Sequence, residues 1–392
     1  MTIQATLDGK DNGTGAVLYM ALELSWKIWK VLLWSGGRQR GIDVAARDLA
    51  GLGAAVAKAK VHFGLDPTTR VVSCYEAGRD GFWLHRALAG MGIENLVIDS
   101  SAIEVSRRAR NAKSDGVDVV KLMALLRRHG AGEAGVFKIV RVPSEAAEDE
   151  RRAGRELERL KKEKSQHRSR IKSLLALHGL ARDKIGGKGW AEVVAGLRVW
   201  TGRGLPGAIT AELVREGERL ALIESQIAVL VRQRRDRQRA VGAAVESETG
   251  PVNDATAKVA CQLEQLKAIG PESSWVFARE FFAWRTFANR RQVAAAAGLT
   301  PTPYASGASQ REQGLSKSGN RRIRAMAVEI AWMWLRYQPA STLARWYKAR
   351  FAAGGARARK VGIVALARKL LIALWRFATD GIVPEGAMLK RA

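Results

Sequence analysis

The sequence predicts an α/β domain followed by two helical regions. Short apolar runs alternate with helical patterns over residues 15–140, a charged stretch with apolar residues at 3, 4 and 7 spacing fills 145–245, and glycine- and proline-punctuated helices fill 255–392. Residues 1–14, polar and glycine-containing, are expected to form a flexible tail.

In the first domain AVLYMALEL, WKVLLW, RVVSCYE and NLVIDS predict strands, and AARDLAGLGAAVAKAKVHFG and GFWLHRALAGMG predict helices. Only Ser25 to Lys30 separate the first two apolar runs, so a β-hairpin opens a mixed sheet. From Glu145 to Gly179, Leu157, Leu160, Ile171, Leu174 and Leu175 recur among Glu, Lys and Arg, predicting a helix on the order of 50 Å long. After the break IGGKGW and TGRGLPG a second helix follows over Ala211 to Val241, and the pair predicts a long antiparallel coiled coil. It serves either as a spacer arm with a solvated face or as a dimerisation element that also tracks nucleic-acid backbone. Beyond ESETGPVNDAT, helices are expected near 256–268, 274–283, 289–297, 320–336, 340–352 and 357–378, with a loop at 298–319. Ile269-Gly270-Pro271 has the form of a helix-hairpin-helix turn, whose amides hold phosphate, or of a plain helix stop.

The 392 residues carry 65 Lys+Arg against 38 Asp+Glu, a net charge of +27. Such a surplus points to a polyanion, and nucleic acid is the commonest one inside a cell. The excess is bipartite: 17 cations face four acids from Arg311 onward, and ten face three glutamates between Arg151 and Lys172. Cys74 and Cys261 are too few for a disulfide framework, the five histidines lack metal spacing, and His85 is expected to be structural. No run is long and apolar enough to cross a membrane and no secretion signal is visible, so a cytoplasmic, nucleoid-associated protein is expected.

Three acidic features carry potential chemistry. Glu23 ends LYMALE, Glu76 ends VVSCYE, and Asp115 and Asp118 open the helical DGVDVVKLMALL. An acid on an apolar strand costs several kcal/mol unless compensated, and a divalent cation compensates it. Asp115 and Asp118 share a helix face, so the four together suit an oxygen-only site for Mg2+ or Mn2+ and in-line phosphoryl transfer. Alternatively the aspartates serve the helix dipole, and the glutamates pair with arginines such as Arg79.

The stretch GLTPTPYASGASQREQGLSKSGNRRIR presents Ser306 before Gly307, with Arg311, Lys317, Arg321, Arg322 and Arg324 close behind. A serine attacking a phosphodiester needs cations to neutralise the developing oxyanions, and these supply them. The bland alternative is a turn with phosphate-positioning arginines, and Ser309, Ser316 and Ser318 are rival hydroxyls. Lys161, Lys162 and Arg168 belong to the second basic region and are candidate backbone contacts. Trp332 and Leu335 share a helix face with Val328 and Ala331, which predicts core packing.

At these residues the sequence resembles the insertion-sequence one-ten family of DEDD transposases, and within it the one-eleven-eleven group, serine-assisted recombinases guided by a bridge RNA. The likeness rests on SCYEAGRDGFWLHRAL, VIDSSAIEVSRRARNAKSDGVDVVKLMALL, the helical middle region and GLTPTPYASGASQREQGLSKSGNRRIRAMAVEIAWMWLRYQP, spanning nearly the whole chain. It implies an RNase-H-like (RuvC-like) fold with carboxylates Glu23, Glu76, Asp115 and Asp118 binding Mg2+ or Mn2+, and a nucleophile at Ser306 in a C-terminal transposase domain. Glu23 stands where the family commonly has Asp, and Asp-Gly-Val-Asp replaces its frequent Asp-Arg-Arg-Asp. The implied partners are donor and target DNA, a noncoding guide RNA and further copies of the chain, as a dimer and as a tetramer in the synaptic complex. The competing readings are a metal-dependent nuclease or junction resolvase without covalent intermediate, and a decayed nucleic-acid-binding relative.

Overall fold

The computed structural model describes residues 15–99, 115–246, 254–306 and 309–390; the expected tail at 1–14 lies outside them. The chain divides into two compact units, 1–142 and 143–392.

Unit 1 is built on a five-stranded sheet of β1 (Leu18–Glu23), β2 (Ile28–Ser35), β3 (Arg38–Ala45), β4 (Val71–Glu76) and β5 (Glu94–Ile98) in the order β3-β2-β1-β4-β5. The first three form an antiparallel meander, while β4 and β5 run parallel to β1, so the sheet is mixed as expected. Leu18, Met20 and Leu22 face one core, which α1 (Leu49–Phe63) and α2 (Trp83–Gly90) complete. Ala21, Val72 and Cys74 face the other, covered by Val119, Leu122 and Leu126 of α3 (Asp115–Gly130). Burial on both faces explains why β1 and β4 are near-continuous apolar runs. Asp48 starts α1 by accepting from Gly51 N (2.8 Å), and Gly64 ends it in the left-handed region at φ 70°. The sequence did not announce β3, an edge strand whose residues Arg38 to Gly41 are all exposed and lack apolar alternation. His85, half-buried on α2, has its Nδ1 3.0 Å from Asn95 Nδ2.

Unit 2 opens with α4 (Glu145–Ala176), capped by Ser144, whose hydroxyl accepts from Ala147 N (3.2 Å). After α5 (Trp190–Ala195), α6 (Gly207–Glu246) returns antiparallel to α4, as three polar contacts along their length record: Glu150 with Arg237 (2.8 Å), Lys164 with Glu224 (2.8 Å) and His167 Nδ1 with Glu216 Oε2 (2.5 Å). At the far end Ile171, Leu175, Trp190, Leu213 and Leu220 close a small core of their own. The remaining helices are α7 (Ala255–Glu264), α8 (Pro271–Phe277), α9 (Arg290–Ala296), α10 (Arg321–Tyr337), α11 (Thr342–Phe351) and α12 (Ala356–Asp380). Their shared core gathers Phe277, Phe281 and Trp334 around Leu366, Leu370 and Leu374 of α12. Within this core, Ala278–Phe282 continues α8 as a π-turn.

Three expectations are corrected here. The stretch at 298–319 is not a plain loop: it contains an antiparallel hairpin of β6 (Pro301–Ser306) and β7 (Ser309–Leu315), hidden in sequence by Pro301, Pro303 and Gly314. Trp332 is 45% exposed, and Trp334 is the tryptophan of α10 that fills the core. At Gly270 the amide is already bonded to Ser273 Oγ (3.0 Å), so this donor serves the helix start rather than a phosphate. Among the described residues no helix is long and apolar enough to cross a membrane.

Candidate functional site

Strand register sets the first constellation. In β1 and β4, Leu22 pairs with Tyr75, and the next residue on each strand is Glu23 and Glu76. The two glutamates therefore stand side by side at the C-terminal ends of adjacent parallel strands. By alternation they share the face of Ala21 and Cys74, the face α3 covers. The helix runs antiparallel to these strands: Cys74 Sγ lies 3.8 Å from Leu122 O, and Gly130, at the far end, packs against the Tyr19 ring at the start of β1. Asp118 precedes Leu122 by one turn, about 6 Å of rise, and Glu76 follows Cys74 by two residues, about 7 Å. The first turn of α3 thus comes level with the glutamate pair at one edge of the sheet, but Glu23, Glu76 and Asp118 are not gathered into a group that could hold a metal ion. Asp115 begins the same turn, but its side chain lies outside the described residues.

Glu23 and Glu76 are half-buried and Asp118 is 35% exposed, with Lys121 Nζ 3.4 Å from its Oδ1. Among the described residues no three His, Cys, Asp or Glu side chains form a group that could hold a metal ion. Sequence reasoning missed a neighbouring feature. Trp26, 62% exposed in the turn after Glu23, carries the guanidiniums of Arg47 at 4.6 Å and Arg79 at 5.1 Å from its ring centroid. The available signal was a lone aromatic in a polar turn directly after a strand-end acid. Arg79 also approaches Asp80 (3.8 Å).

The second constellation is the hairpin. Ser306 pairs with Ser309 as the last register pair, so Ser306 stands at its closing end; Gly307 and the side chains of Ser306 and Arg311 lie outside the described residues. The other end is firmly held. Arg324 Nη1 donates to Lys317 O (2.9 Å) and Ala297 O (3.2 Å), clasping both strands' roots, and Ser316 N donates to Thr300 O (2.9 Å). Gly319, at φ 133°, lets the chain pass where a Cβ would meet Ala296 O at 2.5 Å. Asn320 caps α10 by accepting from Arg322 N (3.0 Å) and turns its amide to the fully buried Glu280, at 3.3 Å. Glu280 in turn accepts a bidentate pair from Arg155 of α4 (2.9 and 3.0 Å). Burial alone would raise the Glu280 pKa, but the bonds from Arg155 and Asn320 outweigh it and hold it below the usual glutamate value. Next to it Arg279 is 5% exposed, and burial lowers its pKa. Gly154 supplies its space, since a Cβ there would fall 1.7 Å from the guanidinium carbon.

Comparison with known proteins identifies this architecture. The family model described as "Transposase IS116/IS110/IS902 family" matches residues 260–346. A Sinorhizobium fredii protein named "Putative transposase y4rJ" is 40% identical over 381 residues, covering 95% of this chain and 94% of its own. The chain belongs to this family of insertion-sequence transposases. A second S. fredii protein, "Putative transposase y4qE", is 26% identical over 332 residues, covering 79% of this chain and 76% of its own. As a transposase the protein acts on DNA, cutting and rejoining it. The matched region runs from α7 into α11 and contains the whole hairpin with Ser306.

The transposase's expected DNA contacts fall into two groups. Lys161 is 2.6 Å from Glu272, Arg322 is 2.6 Å from Glu158, and Arg324 is occupied by the carbonyls it clasps. Lys162, Lys317 and Arg321 are exposed and Arg168 half-buried, without an ion pair among the described residues. The basic run from Arg151 to Lys172 is likewise divided: Arg151 is 7% exposed and lies over Trp284, while Arg155 serves Glu280. Part of the surplus charge is therefore structural.

Proposed function

We propose that this transposase breaks and rejoins DNA with Ser306 as nucleophile, assisted by divalent metal at the edge formed by Glu23, Glu76, Asp115 and Asp118. The observation that carries the reading is the register that sets Glu23 beside Glu76 with the first turn of α3 level with both. The strand order β3-β2-β1-β4-β5, with acids at the ends of the neighbouring β1 and β4, supports an RNase-H-like domain. Bound Mg2+ or Mn2+ would neutralise charge developing on the phosphoryl oxygens. Ser306 Oγ attacks the scissile phosphorus and displaces a deoxyribose oxygen, leaving DNA joined to the protein through a phosphoserine. The fixed hairpin root supports this role because it limits where the closing end can travel.

The antiparallel pair α4 and α6 acts as a coiled coil that joins protomers, first in a dimer and then in a tetramer, with Ser306 supplied by the partner protomer. The bipartite basic surface suits two polyanions, DNA and a noncoding guide RNA, and the protein works at the nucleoid. Incubating the chain with donor and target DNA, guide RNA and Mg2+, then trapping protein–DNA adducts under denaturing conditions, tests the reading. Wild type should give an adduct that Ser306→Ala abolishes together with strand cleavage. Cleavage that persists in Ser306→Ala would instead establish a nuclease or resolvase without covalent intermediate.

A further inference from the structure

Beside the hairpin root lies a groove of about 910 Å3, bounded by Pro301, Gly314 and Leu315 on one side and by α12 on the other. Its floor is apolar, formed by Leu299, Trp346, Val361, Val364 and Ile372. Val361, Val364, Arg368 and Ile372 recur at spacings of three and four along α12, so a single helix face lays down floor and rim together. Six cations surround the floor: Arg290, Arg291, Arg357, Lys360, Arg368 and Lys369, and among the described lining residues there is no acid. None of the six forms an ion pair among the described residues, in contrast to Arg155, Lys161 and Arg322 elsewhere in the unit, and Lys369 rests over the Trp346 ring at 4.7 Å.

A ring of cations without an ion pair among the described residues calls for an anion, and an apolar floor calls for an apolar face on the same ligand. Duplex DNA offers phosphates but keeps its base faces stacked inside, whereas an unpaired strand offers both. The volume, near the top of the range of about 300–1,000 Å3 for ligand pockets, leaves room for more than one base. We propose that this groove binds an unpaired nucleic-acid strand, with bases against the Trp346–Val361–Val364 floor and phosphates held by the six cations. Because the groove borders the root of the hairpin, the strand it holds would be one opened next to the point of cleavage; this last step rests on the reading of Ser306 given above.

Fluorescence polarisation with the full chain, a labelled unpaired twelve-nucleotide DNA and the same sequence as a duplex tests the groove directly, without metal or catalysis. Val361 is 57% exposed, so Val361→Asp should leave the thermal midpoint unchanged while placing a carboxylate on the floor. The expected result is a loss of single-strand affinity of at least about tenfold, about 1.4 kcal/mol, with duplex affinity within about twofold of wild type. Lys348→Gln, an exposed cation of α11 that does not line the groove, makes the same change in net charge and should weaken both DNAs equally and slightly. Parallel weakening of both DNAs by Val361→Asp, no weakening of either, or displacement of the oligonucleotide by an acidic amphipathic peptide at lower concentration would each overturn the proposal. Adduct trapping on the same variants separates the two readings. Unchanged single-strand binding in Val361→Asp with a normal Ser306 adduct removes the groove alone, whereas selective loss of binding with no adduct in wild type removes the serine mechanism alone.

Discussion

The sheet edge of unit 1 and the hairpin of unit 2 position polar groups by different physics. At the sheet edge, main-chain hydrogen bonds between β1 and β4 fix Glu23 beside Glu76 whatever their side chains do, and the apolar stripe of α3 sets the height of Asp118. In unit 2 no sheet of comparable size exists among the described residues. There the root of the hairpin is held by side chains: Arg324 on two carbonyls, Asn320 on the start of α10, and Glu280 behind it, buried between Asn320 and Arg155. A ladder of backbone bonds tolerates substitution along its length, whereas a buried charge network fails when one member is lost. The difference predicts separate responses to mutation.

The largest effect is expected at the sheet edge, on chemistry alone. Asp118→Asn should lower the rate of DNA cleavage by about a thousandfold or more, the scale of losing electrostatic stabilisation of the transition state, with the denaturation midpoint unchanged. Cleavage within tenfold of wild type would detach the sheet edge from the reaction. Glu280→Ala should do the reverse, costing about 3–5 kcal/mol of stability, as expected when one partner of a buried ion pair is removed. Urea denaturation followed by tryptophan fluorescence reads this, and a loss below about 1 kcal/mol would show that the network is not what holds unit 2.

Acid should sharpen the same contrast. Glu280, Glu272 and Glu216 all titrate below the ordinary glutamate value of 4.5; in each, burial pushes upward and is outweighed by bonds from Arg155, from Lys161, and from His167 and Arg170 respectively. A carboxylate with a depressed folded-state pKa stabilises the fold above its unfolded value and loses that contribution as pH falls through its folded value. Stability should therefore hold down to about pH 4.5 and decline below it, and in Glu280→Ala the decline should be shallower. Arg324→Ala should cost about 1–2 kcal/mol, the loss of two charge-assisted bonds to carbonyls at a partly exposed site, and should slow adduct formation more than it weakens DNA binding. The smallest effect separates surface cations from structural ones: Lys162→Gln should reduce the salt dependence of duplex binding by about one phosphate contact, a slope change near 0.9. Lys161→Gln, whose ammonium already faces Glu272, should change the slope less.

How far the sequence revealed these regions follows from the same distinction. Leu18–Glu23 and Val71–Glu76 are apolar on both faces, so both strands and the oddity of their terminal acids were legible. The edge strand Arg38–Ala45 and the hairpin were not, because β3 opens with four exposed, non-alternating residues and Pro301, Pro303 and Gly314 interrupt the hairpin's strand pattern. Arg151 belonged to a run read as basic surface, and the fold buries it; partners such as Glu158 and Glu280 lie more than a hundred residues from some of the cations they serve.

By itself the sequence determined the α/β and helical division, the four acids, the hydroxyl at Ser306 and a large cationic surplus, because apolar periodicity and composition are local properties of the chain. Only the tertiary structure decided which carboxylates share an edge, where the hairpin is anchored, and which cations are free for a nucleic acid. Register, helix direction and ion pairing depend on contacts between residues far apart in the chain, and no local pattern encodes them.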